Sequence, residues 1–118
     1  MKRYKVIQDY TSPYPDPILF HAGEPVQVGE KSADDPDWND WYWCEGQRQQ
    51  KAWVPVQYLQ LDGSVGVFIR EYNARELSLQ TGEILTAYEE INGFCMAEKE
   101  NGQKGWAPLN HLEMLSEN

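Results

Sequence analysis

The strongest constraint on this chain is an internal repeat with uneven spacing. Ile18-Leu19-Phe20-His21-Ala22-Gly23-Glu24 is echoed by Leu77-Ser78-Leu79-Gln80-Thr81-Gly82-Glu83 at an offset of 59. Trp41, Trp53, Pro55 and Tyr58 are echoed by Phe94, Trp106, Pro108 and His111 at an offset of 53. The fall from 59 to 53 places six extra residues in the first copy between Glu24 and Trp41, in the loop that holds Lys31 to Asp40. Repetition at this period divides the 118 residues into two copies of about 60. The boundary falls around Leu61-Asp62-Gly63-Ser64, giving copies over 1–61 and 65–118. A domain that small buries only ~60% of its chain surface, so large side chains have to supply much of its core. Five Trp and seven Tyr are available for that purpose.

The short runs between turn residues are strand-like. Val6-Ile7, Pro25 to Val28, Trp41 to Cys44 and Trp53-Val54 are apolar or alternating and are bounded by Gly, Pro and Asp. Val67 to Ile69, Glu83 to Tyr88, Gly93 to Glu98 and Gly105 to Ala107 repeat the pattern in the second copy. Asn101-Gly102 is expected to form a two-residue hairpin turn, because both residues tolerate positive φ. No segment of ten or more residues has a helical period. The fold class expected is all-β.

Charge narrows the function. Nineteen acidic against ten basic residues leave a net charge of −9, which repels nucleic acid and anionic membrane and attracts basic partners. Lys2, Arg3 and Lys5 are not followed by an apolar run, so neither a signal peptide nor a membrane span is readable, and a cytoplasmic location is expected. Cys44 and Cys95 are too few for a disulfide framework and do not match across the repeat; they are expected to be buried free thiols. No metal-ligand spacing, nucleophile motif or phosphate loop is present, and His21 and His111 have no catalytic setting. The expectation is a protein that is not an enzyme and needs no metal or cofactor.

The motifs, in order, resemble those of SH3 domains, small barrels of about five strands. The family pattern ALYDY, ELSF, Gly-Glu, WW and G-hydrophobic-hydrophobic-P-x-N-Y is similar to Val6 to Tyr10, Pro17 to Phe20, Gly23-Glu24, Trp41-Tyr42 and Ala52 to Tyr58 in the first copy. In the second copy it is similar to Phe68 to Tyr72, Glu76 to Leu79, Gly82-Glu83, Phe94-Cys95 and Gly105 to His111. The resemblance implies binding of Pro-rich peptides in the polyproline II conformation, laid across aromatic rings, with loop acids pairing a flanking Arg or Lys.

Carried over, the resemblance implies a ligand site in the first copy at Tyr10, Asp16, Asp37, Asp40, Trp41, Pro55 and Tyr58. Gln8 and Gln57 depart from the family's Tyr and Asn, and Asp34 and Asp35 add to the acids before Trp41. The second copy offers Tyr72, Phe94, Pro108 and Asn110, with Arg70 for the first Tyr, His111 for the last, and a first loop three residues shorter. Trp41 and Trp43 share one side of a strand, with Trp41 expected to be exposed in the groove and Tyr42 and Cys44 facing the other way. Trp38 either covers the groove or anchors its loop. Pro13, Pro15 and Pro17 stiffen the first loop.

Three readings stay open. In the first, the protein is an interaction module whose first copy binds a Pro-rich or extended peptide with a basic flank. The second is an assembly protein whose barrels pack on each other or on a second chain, making a homo-oligomer possible. The third is similar to bacterial SH3-like modules that bind cell-wall peptide or a small ligand, through the Gly105-Trp106-Ala107-Pro108 ending.

Overall fold

A computed structural model describes residues 2–31 and 40–117. The described residues form strands joined by turns, with three-residue 3-10 turns at Gln47–Gln49, Val56–Tyr58 and Leu109–His111. The strands are β1 (Lys2–Val6), β2 (Leu19–Phe20), β3 (Pro25–Lys31), β4 (Trp41–Glu45), β5 (Lys51–Pro55), β6 (Leu59–Asp62), β7 (Val65–Phe68), β8 (Tyr72–Asn73), β9 (Ile84–Ile91), β10 (Phe94–Lys99), β11 (Lys104–Pro108) and β12 (Leu112–Glu117). The all-β expectation is met, and the architecture is that of two small five-stranded domains.

The strands do not sort by copy. One five-stranded sheet runs β11-β10-β9-β1-β12, the other β5-β4-β3-β7-β6, and β2 pairs with β8. The chain divides into two compact units: unit 1 is Met1–Asp16 with Arg75–Asn118, and unit 2 is Pro17–Ala74. The copies expected at 1–61 and 65–118 do not coincide with these compact units. The copies are contiguous in sequence, but each gives its N-terminal arm to the unit built on the rest of the other. Arm 1–16 completes unit 1, and arm 65–74 completes unit 2.

Matching hydrogen bonds show that the arms hold equivalent places. In unit 1 the Val6 amide donates to Glu83 O (2.9 Å), Ile7 to His111 O (2.9 Å), and Gly82 to Val6 O (2.8 Å). In unit 2 Phe68 donates to Glu24 O (3.0 Å), Ile69 to Tyr58 O (3.0 Å), and Gly23 to Phe68 O (2.7 Å). The Gly-Glu turns are duplicated too, with the Gln80 amide on the Glu83 carboxylate and the His21 amide on that of Glu24. Loop length explains why the second arm runs on: Tyr72 and Leu79 lie seven positions apart, against ten for Tyr10 and Phe20, so little chain is left for a hairpin.

Alternation puts the apolar side chains inward. In β1, Tyr4 and Val6 point into a core with Leu77, Leu79, Leu85, Ala87, Cys95, Ala97, Ala107 and Leu112. In unit 2, Phe20 stacks on Phe68 (4.6 Å between centroids) and Phe68 on Tyr72 (5.9 Å), with Val26, Cys44, Ala52 and Val54 also buried. Fully burying a Val, Leu or Phe side chain contributes roughly 1.5–3 kcal/mol.

The hairpin turns differ from expectation in detail. The Gly102 φ is 92° while Asn101 is not in the left-handed region, and Lys99 and Gln103 bond across a three-residue loop in which the Asn101 side chain accepts the Gln103 amide (3.0 Å). The two-residue turn with positive φ at both positions lies at Asn92-Gly93, with φ of 48° and 87°, where Ile91 pairs with Phe94.

Candidate functional site

Each unit carries one set of the aromatic and Pro positions expected to form a groove, and each set mixes the two copies. In unit 2, β4 and β5 set Trp41 opposite Pro55 and Trp43 opposite Trp53 on one side of the sheet, with Tyr42 opposite Val54 and Cys44 opposite Ala52 on the other. The 3-10 turn after β5 presents Tyr58 edge-on to Tyr72, at 5.0 Å between centroids. Tyr72 comes from the second copy's arm, and its hydroxyl donates to Trp53 O (2.7 Å).

This set is closed. Trp41 is 6% exposed, Tyr58 4% and Tyr72 3%, and Pro55 is fully buried. The expectation of an exposed Trp41 is therefore corrected; Trp43 and Trp53, edge to face at 5.4 Å, are half-buried. The Arg70 guanidinium, at the place of the family's first Tyr, lies 4.0 Å over the Tyr58 ring, and its Nη2 donates to the Tyr58 hydroxyl (2.8 Å). A cation now stands over the ring that sequence reasoning assigned to ligand.

Of the loop acids, Asp34, Asp35 and Asp37, together with Trp38, lie outside the described residues. Asp40 is half-buried, has a φ of 67°, accepts the Val56 amide on its carbonyl (3.0 Å) and pairs with Lys31 at 3.0 Å. These contacts tie Asp40 to the end of β3 and to the turn after β5.

Tyr10, expected beside Trp41, belongs to unit 1 and meets the second copy's ending there. Its ring approaches His111 edge-on at 5.2 Å. Its hydroxyl donates to the Glu76 carboxylate at 2.7 Å. The backbone around Glu76 is fixed on both sides: its amide donates to Tyr14 O, while Trp106 accepts from Leu77 and donates to Arg75 O. Burial raises the Glu76 carboxyl above its ordinary range, and the Tyr10 hydrogen bond offsets this in part. Burial, then the Glu76 carboxylate, push the Tyr10 hydroxyl well above the usual phenol range, so it stays a donor.

Around this pair, Phe94 lies opposite Pro108 with both buried, while Asn110 is exposed and its Oδ1 lies 2.7 Å from His111 Nδ1. Asp16 is exposed in the arm. Tyr10 and Asp16 thus belong to unit 1 and Trp41, Pro55 and Tyr58 to unit 2, while Tyr72 belongs to unit 2 and Phe94, Pro108 and Asn110 to unit 1. Glu76 was missed as a site residue, although it opens the Glu76-Leu77-Ser78-Leu79 motif.

The family model for the variant SH3 domain matches the chain twice, over residues 3–62 and 65–115. The chain belongs to the SH3 domain family. No curated protein and no solved structure matched it. SH3 domains generally mediate protein–protein interaction and are typically non-enzymatic. Both SH3 matches follow the sequence copies, whereas both SH3 units are composites of the two.

Cys44 and Cys95 are buried free thiols, as expected, and burial pushes both up to about 12. His21 is exposed, 3.5 Å from the Glu71 carboxylate. Among the described residues no His, Cys, Asp and Glu cluster could hold a metal ion, and no helix is long and apolar enough to cross a membrane.

Proposed function

We propose that this chain is a non-enzymatic interaction module that reads an extended, Pro-rich peptide with a basic flank, and that its reading surface is the composite one in unit 1. The observation that carries this is the seating of Tyr10, from the first copy's arm, edge-on to His111 with its hydroxyl on Glu76. The exchange thereby joins the copy with the better first loop, holding Tyr10 and Asp16, to the copy that keeps the Pro108-Leu109-Asn110 ending. A polyproline ridge loses little entropy on binding and needs flat ring walls and a donor, which Tyr10, His111 and Asn110 supply. Asp16 and Glu76 provide carboxylates for a flanking Arg or Lys.

Trp41, Pro55, Tyr58 and Tyr72 then act as scaffold in unit 2. Their burial and the Arg70 cation over Tyr58 favour that assignment, because a basic flank is repelled where Arg70 stands. Burial of Trp41 also favours the assembly reading for unit 2 alone.

The test is calorimetric titration with Pro-rich peptides, with and without flanking Arg. Tyr10→Ala is expected to weaken binding at least tenfold, a loss of about 1.4 kcal/mol. Arg70→Ala is expected to leave it unchanged, and salt to weaken only the Arg-flanked peptides. Binding that survives Tyr10→Ala and is lost on Trp41→Ala would return the site to unit 2. Silence across the library from folded protein would favour assembly.

A further inference from the structure

The surface assigned to peptide in unit 1 departs from the family pattern at its last residue, where His111 stands for a Tyr, and the surroundings of that ring distinguish its two nitrogens. His111 closes the 3-10 turn Leu109–His111 and is half-buried. Tyr10 approaches it edge-on at 5.2 Å, and Nδ1 lies 2.7 Å from Asn110 Oδ1. An amide oxygen only accepts, so Nδ1 carries a proton and donates. In the neutral ring Nε2 is then a bare acceptor, and it makes no hydrogen bond to any described residue.

A Pro-rich ridge in the polyproline II conformation offers carbonyl oxygens and, at each Pro, no N–H. Neutral His111 therefore sets an acceptor against acceptors, whereas the imidazolium sets an N–H against them and makes a charge-assisted bond. A Tyr hydroxyl at the same place would donate throughout the neutral range, since phenols titrate near ~10. The change from Tyr to His turns a permanent donor into one that needs a proton.

The charged groups nearby favour that proton. Lys5 and Glu113 pair across β1 and β12 and are exposed, while Asp9 is held by the Thr81 amide (2.7 Å) and hydroxyl (2.8 Å). Asp16 is exposed farther along the arm, and Arg75, before Glu76 in the chain, is half-buried. Glu76 reaches the ring through the Tyr10 hydroxyl, and as a carboxylate it favours the imidazolium. His21 belongs to unit 2, so His111 is the histidine of this surface.

We propose that His111 reads the carbonyls of the ligand in unit 1 and does so only in its protonated form, so that peptide binding takes up a proton and tightens as pH falls through the histidine range. This rests on the reading of unit 1 as the peptide surface. What it adds is a dependence on pH that a surface ending in Tyr lacks.

Calorimetric titration of the full chain with Pro-rich peptides lacking charged side chains isolates the histidine from the carboxylates. Binding is expected to be about tenfold tighter at about pH 5.5 than at about pH 8, with net proton uptake near pH 7 read from the dependence of the heat on buffer. His111→Tyr should bind at both pH values as tightly as the unaltered chain does at the lower one, and Glu76→Gln should still tighten as pH falls. Nitrogen-15 shifts of the imidazole in the unliganded chain at about pH 8, assigned against His21→Gln, are expected to show Nδ1 protonated and Nε2 bare, a readout that needs no change at His111.

Saturable binding of equal strength at both pH values overturns the inference and leaves the reading of unit 1 standing. So does a proton on Nε2 in the neutral ring, or a pH dependence that survives His111→Tyr and disappears in Glu76→Gln. Absence of binding at every pH by folded protein overturns the reading of unit 1 and this inference with it.

Discussion

Glu76 shows what a single residue costs and what it secures. Its carboxyl is raised by burial, so the folded state binds a proton more tightly than the unfolded chain does. The stability this group contributes is therefore full below its ordinary value of 4.5 and is lost as pH rises through the raised value. At neutral pH Glu76 is a burden on folding. Glu76→Gln keeps an acceptor for Tyr10 and removes the charge. It is expected to raise the thermal midpoint at pH 7, with the gain closing as pH falls toward 4.5, measured by scanning calorimetry at both ends of that range. The same variant should weaken binding of an Arg-flanked peptide more than that of an unflanked one. Arg70 is the opposite case: its departure from the family pattern was visible in the sequence, but its place over Tyr58 was not, because side-chain direction follows from the arm's seat.

At the scale of elements, periodicity and turn chemistry carried most of the information. Alternating runs at Trp41 to Cys44 and Gly105 to Ala107 read correctly as β4 and β11, since period-2 burial is a local property. The second-copy run expected to begin at Gly93 starts one residue later, because Asn92 and Gly93 form the turn themselves. With Gly93 at a φ of 87°, Gly93→Ala is expected to destabilise by about 1–2 kcal/mol in urea titration, the penalty of a Cβ in the left-handed region. The exchange of arms was not legible from these patterns. An arm that fits either copy gives the same alternation, and what tells the arms apart, Tyr4 in one where Gly66 stands in the other, acts through packing against Leu61 and Val28 rather than through any local rule. The candidate positions were named within each copy, while the fold divides them between the two units.

At the scale of the whole molecule, connectivity makes each unit depend on both copies. Leu85 is fully buried in unit 1, and Leu85→Ala is expected to cost about 2–5 kcal/mol. Trp41, Trp43 and Trp53 all lie in unit 2, and Trp106 in unit 1. Because the chain enters and leaves unit 2 through unit 1, the indole fluorescence of unit 2 is expected to shift its unfolding midpoint together with that of unit 1. Comparing the Trp106→Phe background with and without Leu85→Ala measures this, and an unmoved unit 2 transition would show the units unfolding independently. The division into Pro17–Ala74 and a unit made of the two ends also orders events during synthesis. Unit 2 is continuous, so it has all its strands once residue 74 clears the ribosome. β1 is made first but has no complete seat until β12 is made, since Val6 pairs with Leu112 and Lys2 with Glu117. With synthesis at ~5–20 residues per second, the arm waits several seconds before its flanking strands exist, with Tyr4 and Val6 still to be buried.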